Sequence, residues 1–461
     1  VRSHQPEPPE PAGTDAETGP PDPVVATARR RLDELRTVRT PVEDFRTAVT
    51  DLVVIASPFR GGTTLLTEIL RGAEDLLHFQ AEMQPILRLA GWTHPENGAD
   101  SERLLGLTGD VALLENELGS DVGNPVSDWD AIDWSRFAQD VLWRWIVQWP
   151  TAPLSLAEVE SMLAKALADQ PPGGLDDGSG DPTRAVGLTL LKMLTTRYAY
   201  ANPYYADVSA AEINGILPEA ARPAGPHGDT VLEFAPLALP KPWKRATRRE
   251  VESRTVITKT PVNVYKLGAL REFFPRARMR IVHLTRNPGA AISSYREAWL
   301  SHWFFNARVG TPLNIAGYTE PGRPWSRDWW KLDFPPGWQD LTESPLEEVC
   351  ATQWRCSHTA ILDFAARNKD IDVLRLQYED LIGTAHERTR AIDELASWLG
   401  TDRAPLLAPA VRGMTPMNAL TLPRRAKWYG NYDVLKDALN SSDVLSLAAE
   451  LGYSTDLTDW P

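Results

Sequence analysis

Cysteine is scarce in this chain: 461 residues contain two, Cys350 and Cys356, six apart and with no second Cys or His pair at metal-ligand spacing. That excludes a disulfide framework and a zinc site of the usual spacing, and it suits a reduced, cytoplasmic setting. Positive charge is also short. Lys and Arg number 48 against 62 Asp and Glu, a net charge of −14, which argues against nonspecific binding to nucleic acid or to an anionic membrane, since both need a positive field. No run of 18 apolar residues occurs, and no basic segment followed by an apolar run opens the chain. The expectation is a protein neither membrane-spanning nor exported. Also missing is the Gly-Lys-Ser/Thr ending of a Walker A loop, and with it the lysine and magnesium geometry of a nucleoside triphosphate site.

What remains is an ordinary globular composition, 43% apolar and 24% charged, long enough for one large domain with insertions or for two domains. Residues 1–24 are rich in Pro, Glu, Asp, Gly and Ala and are expected to form a disordered tail, with too little apolar surface to offset ordering entropy. Val25 to Arg36 reads as a helix with Arg and Glu spaced for i,i+4 pairing. Leu52 to Ala56 is an unbroken apolar run suited to a parallel strand buried on both faces. Ser57, Pro58 and a glycine pair close it, and a helix is expected over Thr64–Arg71. Further strands are expected at Val256–Lys259, Arg280–Leu284 and Val373–Leu376, with a closing helix at Arg390–Leu399 that ends at Gly400. Strands alternating with helices imply an α/β class with a central parallel sheet flanked by helices. Residues 104–250, which contain the loop-like QPPGGLDDGSGDP, and the aromatic-dense residues 300–345 (Trp303, Phe304, Phe305, Trp325, Trp329, Trp330, Trp338) are expected as insertions on one domain spanning 25–461.

In ASPFRGGTTLL, Gly61 and Gly62 remove the Cβ atoms that would hold a phosphate away from successive backbone N–H groups. The start of the following helix adds its positive dipole end, Arg60 a cation, and Thr63 and Thr64 hydroxyl donors. Taken alone, such a turn is as much a structural element as an anion site. In IVHLTRNPGAAISSYREAW, Arg286 leaves a strand end and Ser294 follows eight residues later, about two turns into a helix. The two reach one phosphate only if that helix folds back over it; Arg-Asn-Pro is otherwise a plain helix start.

In order, these segments resemble the PAPS-dependent sulfotransferases, the bacterial branch in particular. SPFRGGTTLL is similar to the family's 5′-phosphosulfate loop, with Gly61 where a serine is usual, and Arg286 with Ser294 to its 3′-phosphate motif. ITKTPVN resembles the strand-end lysine segment of the bacterial and tyrosylprotein branches, which implies Lys259 near the transferring sulfuryl group. RLQYEDLIG resembles a structural Tyr-Glu-Asp-Leu segment. RRAKWYGNYDVL resembles the region where a basic residue reaches the cofactor, which implies Arg425 or Lys427.

The resemblance implies a P-loop-like three-layer fold, PAPS as donor with no metal required, and a small-molecule acceptor. The acidic chain favours a neutral or weakly charged acceptor, such as a natural product of secondary metabolism or a lipid.

Where the cytosolic branch has a catalytic histidine, this chain has Pro261. The tyrosylprotein branch uses a glutamate shortly after the loop helix, and Glu82 in HFQAEMQPIL falls at nearly that offset, so the resemblance implies Glu82 as general base. A solvated carboxylate is the bland reading of Glu82. His78 and His302 are the alternative bases, while His283 lies in a strand pattern and reads as core. The Trp-rich insertion either walls an apolar acceptor pocket or forms a second hydrophobic cluster. Two other classes stay open: a P-loop kinase or NTPase, and a noncatalytic nucleotide-binding protein of the same fold.

Overall fold

The computed structural model describes residues 23–126, 128–169, 183–223, 225–226, 232–412 and 426–460. Its centre is a five-stranded, all-parallel sheet of β1 (Asp51–Ala56), β2 (Leu76–Leu77), β3 (Thr255–Lys259), β4 (Arg278–Thr285) and β5 (Asp372–Gln377), in the order β2-β3-β1-β4-β5. In β1, Leu52, Val54 and Ala56 join the hydrophobic core on one face, and Val53 and Ile55 the core on the other. All five are fully buried, each large side chain contributing about 1.5–3 kcal/mol. The sheet is covered on the Val53 side by α1 (Thr63–Leu70) and α4 (Ala385–Leu399), and on the Leu52 side by α2 (Pro288–Leu300) and α3 (Leu346–Arg367). The expected three layers are therefore present.

The four strands expected from sequence occur one or two residues longer at one or both ends, and α1 begins one residue early, at Thr63. The closing helix starts at Ala385, where Thr384 and Glu387 form a capping box, and stops at Gly400, whose φ of 78° suits a residue without a Cβ. Three corrections apply. The first helix spans Pro23–Leu35, so the expected tail is two residues too long; residues 1–22 lie outside the described residues. The edge strand β2 went unread because two residues are too short to show a period. The insertions also contain strands: Gly123–Pro125 pairs antiparallel with Trp243–Arg245, and Phe305–Arg308 with Trp329–Lys331. QPPGGLDDGSGDP lies outside the described residues.

The aromatic-dense insertion packs mostly on itself and on α2. Trp330 is fully buried, edge-on to Trp299 at 5.1 Å and stacked on Phe334 at 5.6 Å. His283 faces His358 across a 2.9 Å hydrogen bond inside the core, as its strand position suggests. No described helix is long and apolar enough to cross a membrane.

Three buried histidines make stability pH-dependent. Burial pushes His78 and His283 down to about 3 and His358 well below its usual value. Near pH 6.5 the unfolded chain starts to take up protons that the folded chain refuses, so this stability is complete above pH 6.5 and is lost as pH falls toward 3. Asp333, raised by burial to about 7, acts in the opposite sense, losing its share as pH rises from about 4 through 7. His78→Gln is expected to reduce the acid-side decline of the unfolding free energy, measured by urea titration, by one proton's worth, about 1.4 kcal/mol per pH unit. An unchanged slope would show that His78 already binds its proton in the folded state.

Candidate functional site

In a parallel sheet every strand delivers its C-terminal end to the same edge, and ligands bind there, where the strand order reverses. β1 ends in the Ser57–Thr64 loop, β3 in Lys259 and Thr260, β4 in Arg286, and β5 in Tyr378. A cavity of about 630 Å³ opens on this edge, and Arg60, Gly62, Thr63, Thr64, Glu82, Lys259, Arg286, Ser294 and Lys427 all line it. Residues up to 367 apart in sequence, Arg60 and Lys427 among them, thus meet in one space.

The loop is tightly built. Gly62 has φ 94°, and a Cβ there would fall 2.1 Å from the Tyr378 ring; a Cβ on Gly61 would fall 2.0 Å from Ser57 Oγ. Gly61 itself stands back from the cavity wall. Ser57 is fully buried and its hydroxyl has no hydrogen-bond partner among the described residues, so the volume that a serine at 61 needs is taken by the serine at 57. Gly61→Ser is accordingly expected to lower the melting temperature by several degrees, and Gly62→Ala to cost about 1–3 kcal/mol of backbone strain. Gly62→Ala also displaces the Tyr378 ring beneath Arg286, so nucleotide affinity should fall with stability. Wild-type melting and binding in both variants would show that the loop accommodates side chains.

Arg60 and Arg286 are interlocked. Arg286 Nη1 donates to the Arg60 carbonyl at 2.7 Å, and Arg60 Nε donates to Ser294 Oγ at 3.1 Å. Arg286 lies 4.9 Å over the Tyr378 ring. Helix α2 thus folds back over the loop, as a shared phosphate site requires. Glu379, one residue on, accepts from the Asn287 backbone N–H at 2.9 Å and from Tyr453 at 3.0 Å, which pins the turn behind Arg286. Burial and the neighbouring Arg286 cation bring Arg60 down to about 10, still charged at neutral pH.

Across the cavity Lys259 Nζ and Glu82 Oε1 pair at 2.6 Å, the lysine 10% and the glutamate 33% exposed. The segment bearing Glu82 is fastened on both sides. Thr260 Oγ1 accepts from the Met83 N–H at 2.7 Å. Gln80 donates through its backbone to Asp121 and through its side chain to Asp140. Lys427 pairs with Glu297 at 2.7 Å at the opposite end.

Other expectations fare differently. His78 borders the cavity but is buried and neutral. His302 is not among the cavity residues and hydrogen-bonds to the Tyr204 carbonyl at 3.0 Å, its pKa lowered by burial; neither geometry suits a base here. Arg425 lies outside the described residues. Of the aromatics in 300–345, Phe304 alone among the described residues reaches the cavity, so that insertion is chiefly a hydrophobic cluster. Much of the remaining lining, Phe234, Ala235, Pro236, Ala238 and Leu239 with Phe59, Phe79 and the charged Arg71, Arg184, Glu233 and Lys241, shows no periodicity that marks it in the sequence. Among the described residues no group of three His, Cys, Asp or Glu is arranged to hold a metal.

Chemically, the edge presents the guanidiniums of Arg60 and Arg286 and the ammoniums of Lys259 and Lys427 around a glycine turn, which suits a ligand bearing two separated phosphates, with a carboxylate beside each lysine. No curated protein sequence matches the chain. In structure it is similar to the sulfotransferase domain of the Synechococcus PCC 7002 olefin synthase (14% identity, 88% of this chain and 95% of that one, TM-score 0.34). It is similar also to the sulfotransferase domain from the curacin biosynthetic pathway (13%, 88% and 98%, 0.35) and to a sulfotransferase from Mycobacterium avium (13%, 93% and 82%, 0.34). Residues 238–332, which carry Lys259, Arg286 and Ser294, match the model of the sulfotransferase family. Over that segment the chain is similar to the sulfotransferase family.

Proposed function

We propose that the chain transfers a sulfuryl group from 3′-phosphoadenosine 5′-phosphosulfate (PAPS) to a hydroxyl, or a similar nucleophile, of a small-molecule acceptor. The observation that carries this reading is the interlock of Arg286, Arg60 and Ser294 on one cavity wall, two cationic grips for the two phosphate ends of one nucleotide. The fit is supported by the tight glycine turn, where a Cβ would meet Ser57 or Tyr378, which brings the start of α1, with Thr63 and Thr64, to the cavity beside Arg60.

In this reading Arg286 and Ser294 hold the 3′-phosphate, and Arg60 with the Thr63 and Thr64 hydroxyls holds the 5′ end. Lys427 adds positive charge. Glu82 accepts the proton of the attacking hydroxyl as its oxygen bonds to sulfur. Lys259 orients Glu82 and offsets charge on the bridging oxygen as the S–O bond to the 5′-phosphate breaks. The products are the sulfate ester and 3′-phosphoadenosine 5′-phosphate (PAP). The apolar wall of Phe59, Phe79, Phe234 and Leu239 and a volume within the range of drug-sized ligand sites favour a natural product or lipid of modest charge.

Calorimetric titration with PAP, and with ATP plus magnesium, tests the donor. PAP is expected to bind at least about 100-fold more tightly, because ATP lacks the 3′-phosphate that Arg286 and Ser294 would meet. Tighter binding of ATP would overturn the reading.

A further inference from the structure

Five described non-glycine residues have positive φ, and three of them form a chain leading to the site: Arg60 at 62°, Phe304 at 65° and Leu332 at 62°. For a bulky residue this conformation costs free energy and persists only where the surroundings enforce it, commonly at functional positions. Phe304 is enforced from both sides. Its N–H donates to the Ala235 carbonyl at 2.7 Å, and its own carbonyl accepts from the Leu332 N–H at 3.0 Å. The result is a ring, 7% exposed, that lines the cavity with its face 5.0 Å from the Arg60 guanidinium carbon.

We infer that Phe304 is a positioning residue for Arg60: its strained backbone presents the ring face that holds the guanidinium toward the 5′ end of the donor. The inference rests on the proposed donor grip and adds a part to it.

A second group of contacts supports it. Lys331, next to Leu332, is fully buried and donates to the carbonyls of Ala298 (3.0 Å), Trp299 (3.0 Å) and Ser301 (2.6 Å) at the C-terminal end of α2. Its ammonium also sits 4.1 Å over the Phe305 ring. One lysine therefore ties the strand behind Phe304 to the helix that carries Ser294, and Ser294 accepts from Arg60. Arg60 is held from the helix by a hydrogen bond and from the insertion by an aromatic face, and the two holders are fastened to each other. A cation placed close to Arg286 gains from such a face, whose quadrupole attracts positive charge without neutralising it, so the charge stays available for an anion.

The test is nucleotide binding, which needs no acceptor. PAP and adenosine 3′-monophosphate, which lacks the 5′-phosphate, are titrated into the wild type, Phe304→Leu, Phe304→Tyr, Arg60→Gln and the Phe304→Leu/Arg60→Gln double variant, each checked by thermal melting. Phe304→Leu is expected to weaken PAP about five- to thirtyfold, leave adenosine 3′-monophosphate within twofold, and add nothing in the Arg60→Gln background. Phe304→Tyr keeps the ring and should stay within threefold of wild type. If Phe304→Leu does not fold, Phe304→Met takes its place with the same expectation. Unchanged PAP affinity in Arg60→Gln overturns the donor grip and this inference with it. Weak PAP binding in Arg60→Gln but wild-type binding in Phe304→Leu overturns the inference alone. So does an equal loss for both nucleotides, or an equal loss in the Leu and Tyr variants.

Discussion

Glu82→Gln is expected to lower PAPS turnover by about 10²–10⁴-fold, the usual contribution of a positioned base, while PAP affinity stays within about threefold. The substitution keeps the shape of the side chain and its backbone ties at Gln80 and Met83, and it removes the negative charge that would take the proton in the proposed transfer. Lys259, 10% exposed and paired with Glu82 at 2.6 Å, loses its ionic partner, so a modest loss of stability accompanies the change. The discriminating result is the separation of turnover from binding. Wild-type turnover removes Glu82 from the mechanism. The other two histidines are poorly placed as bases: His78 is enclosed, and burial pushes it down to about 3, too weak a base to take up a proton near neutral pH, and His302 faces the Tyr204 carbonyl.

Arg286→Ala should weaken PAP by about 10²–10³-fold and leave adenosine 5′-monophosphate within about threefold. A guanidinium on a phosphate makes charge-assisted bonds of roughly 1.5–3 kcal/mol each, and two such bonds account for the loss. The ring of Tyr378 beneath Arg286 and the Asn287–Glu379 contact behind it hold that cation in advance, so little ordering is left for the nucleotide to bring about. Equal losses for both nucleotides would mean that Arg286 acts through its 2.7 Å bond to the Arg60 carbonyl, as a brace for the loop and not as the grip on the 3′ end.

Much of the sheet was legible because burial on both faces writes itself into composition. Leu52–Ala56 is apolar throughout, and no other role suits such a run between a polar residue and a glycine turn. The loop was legible because a glycine pair before a helix marks a tight turn, and the Tyr378 ring supplies the structural reason for Gly62. The substitution at 61 had no visible cause in the sequence. Ser57 lies four residues earlier, and only the fold of the turn brings its hydroxyl into the volume where a Cβ at 61 would stand. Phe304 was read as one aromatic among seven; its positive φ and its place over Arg60 come from hydrogen bonds to Ala235 and Leu332, neither of which has a local signature.

The sequence by itself determined the α/β layering, the order of the motifs and the residue types that meet at the cavity, since each follows from local pattern: an apolar run, a glycine turn, a cation at a strand end. Tertiary structure alone decided which cations share a cavity, which histidines are too buried to take up a second proton, and which aromatic of the insertion reaches the cavity. Those outcomes depend on distances between segments hundreds of residues apart, and such distances are set by packing and backbone hydrogen bonds, with no periodicity along the chain to record them.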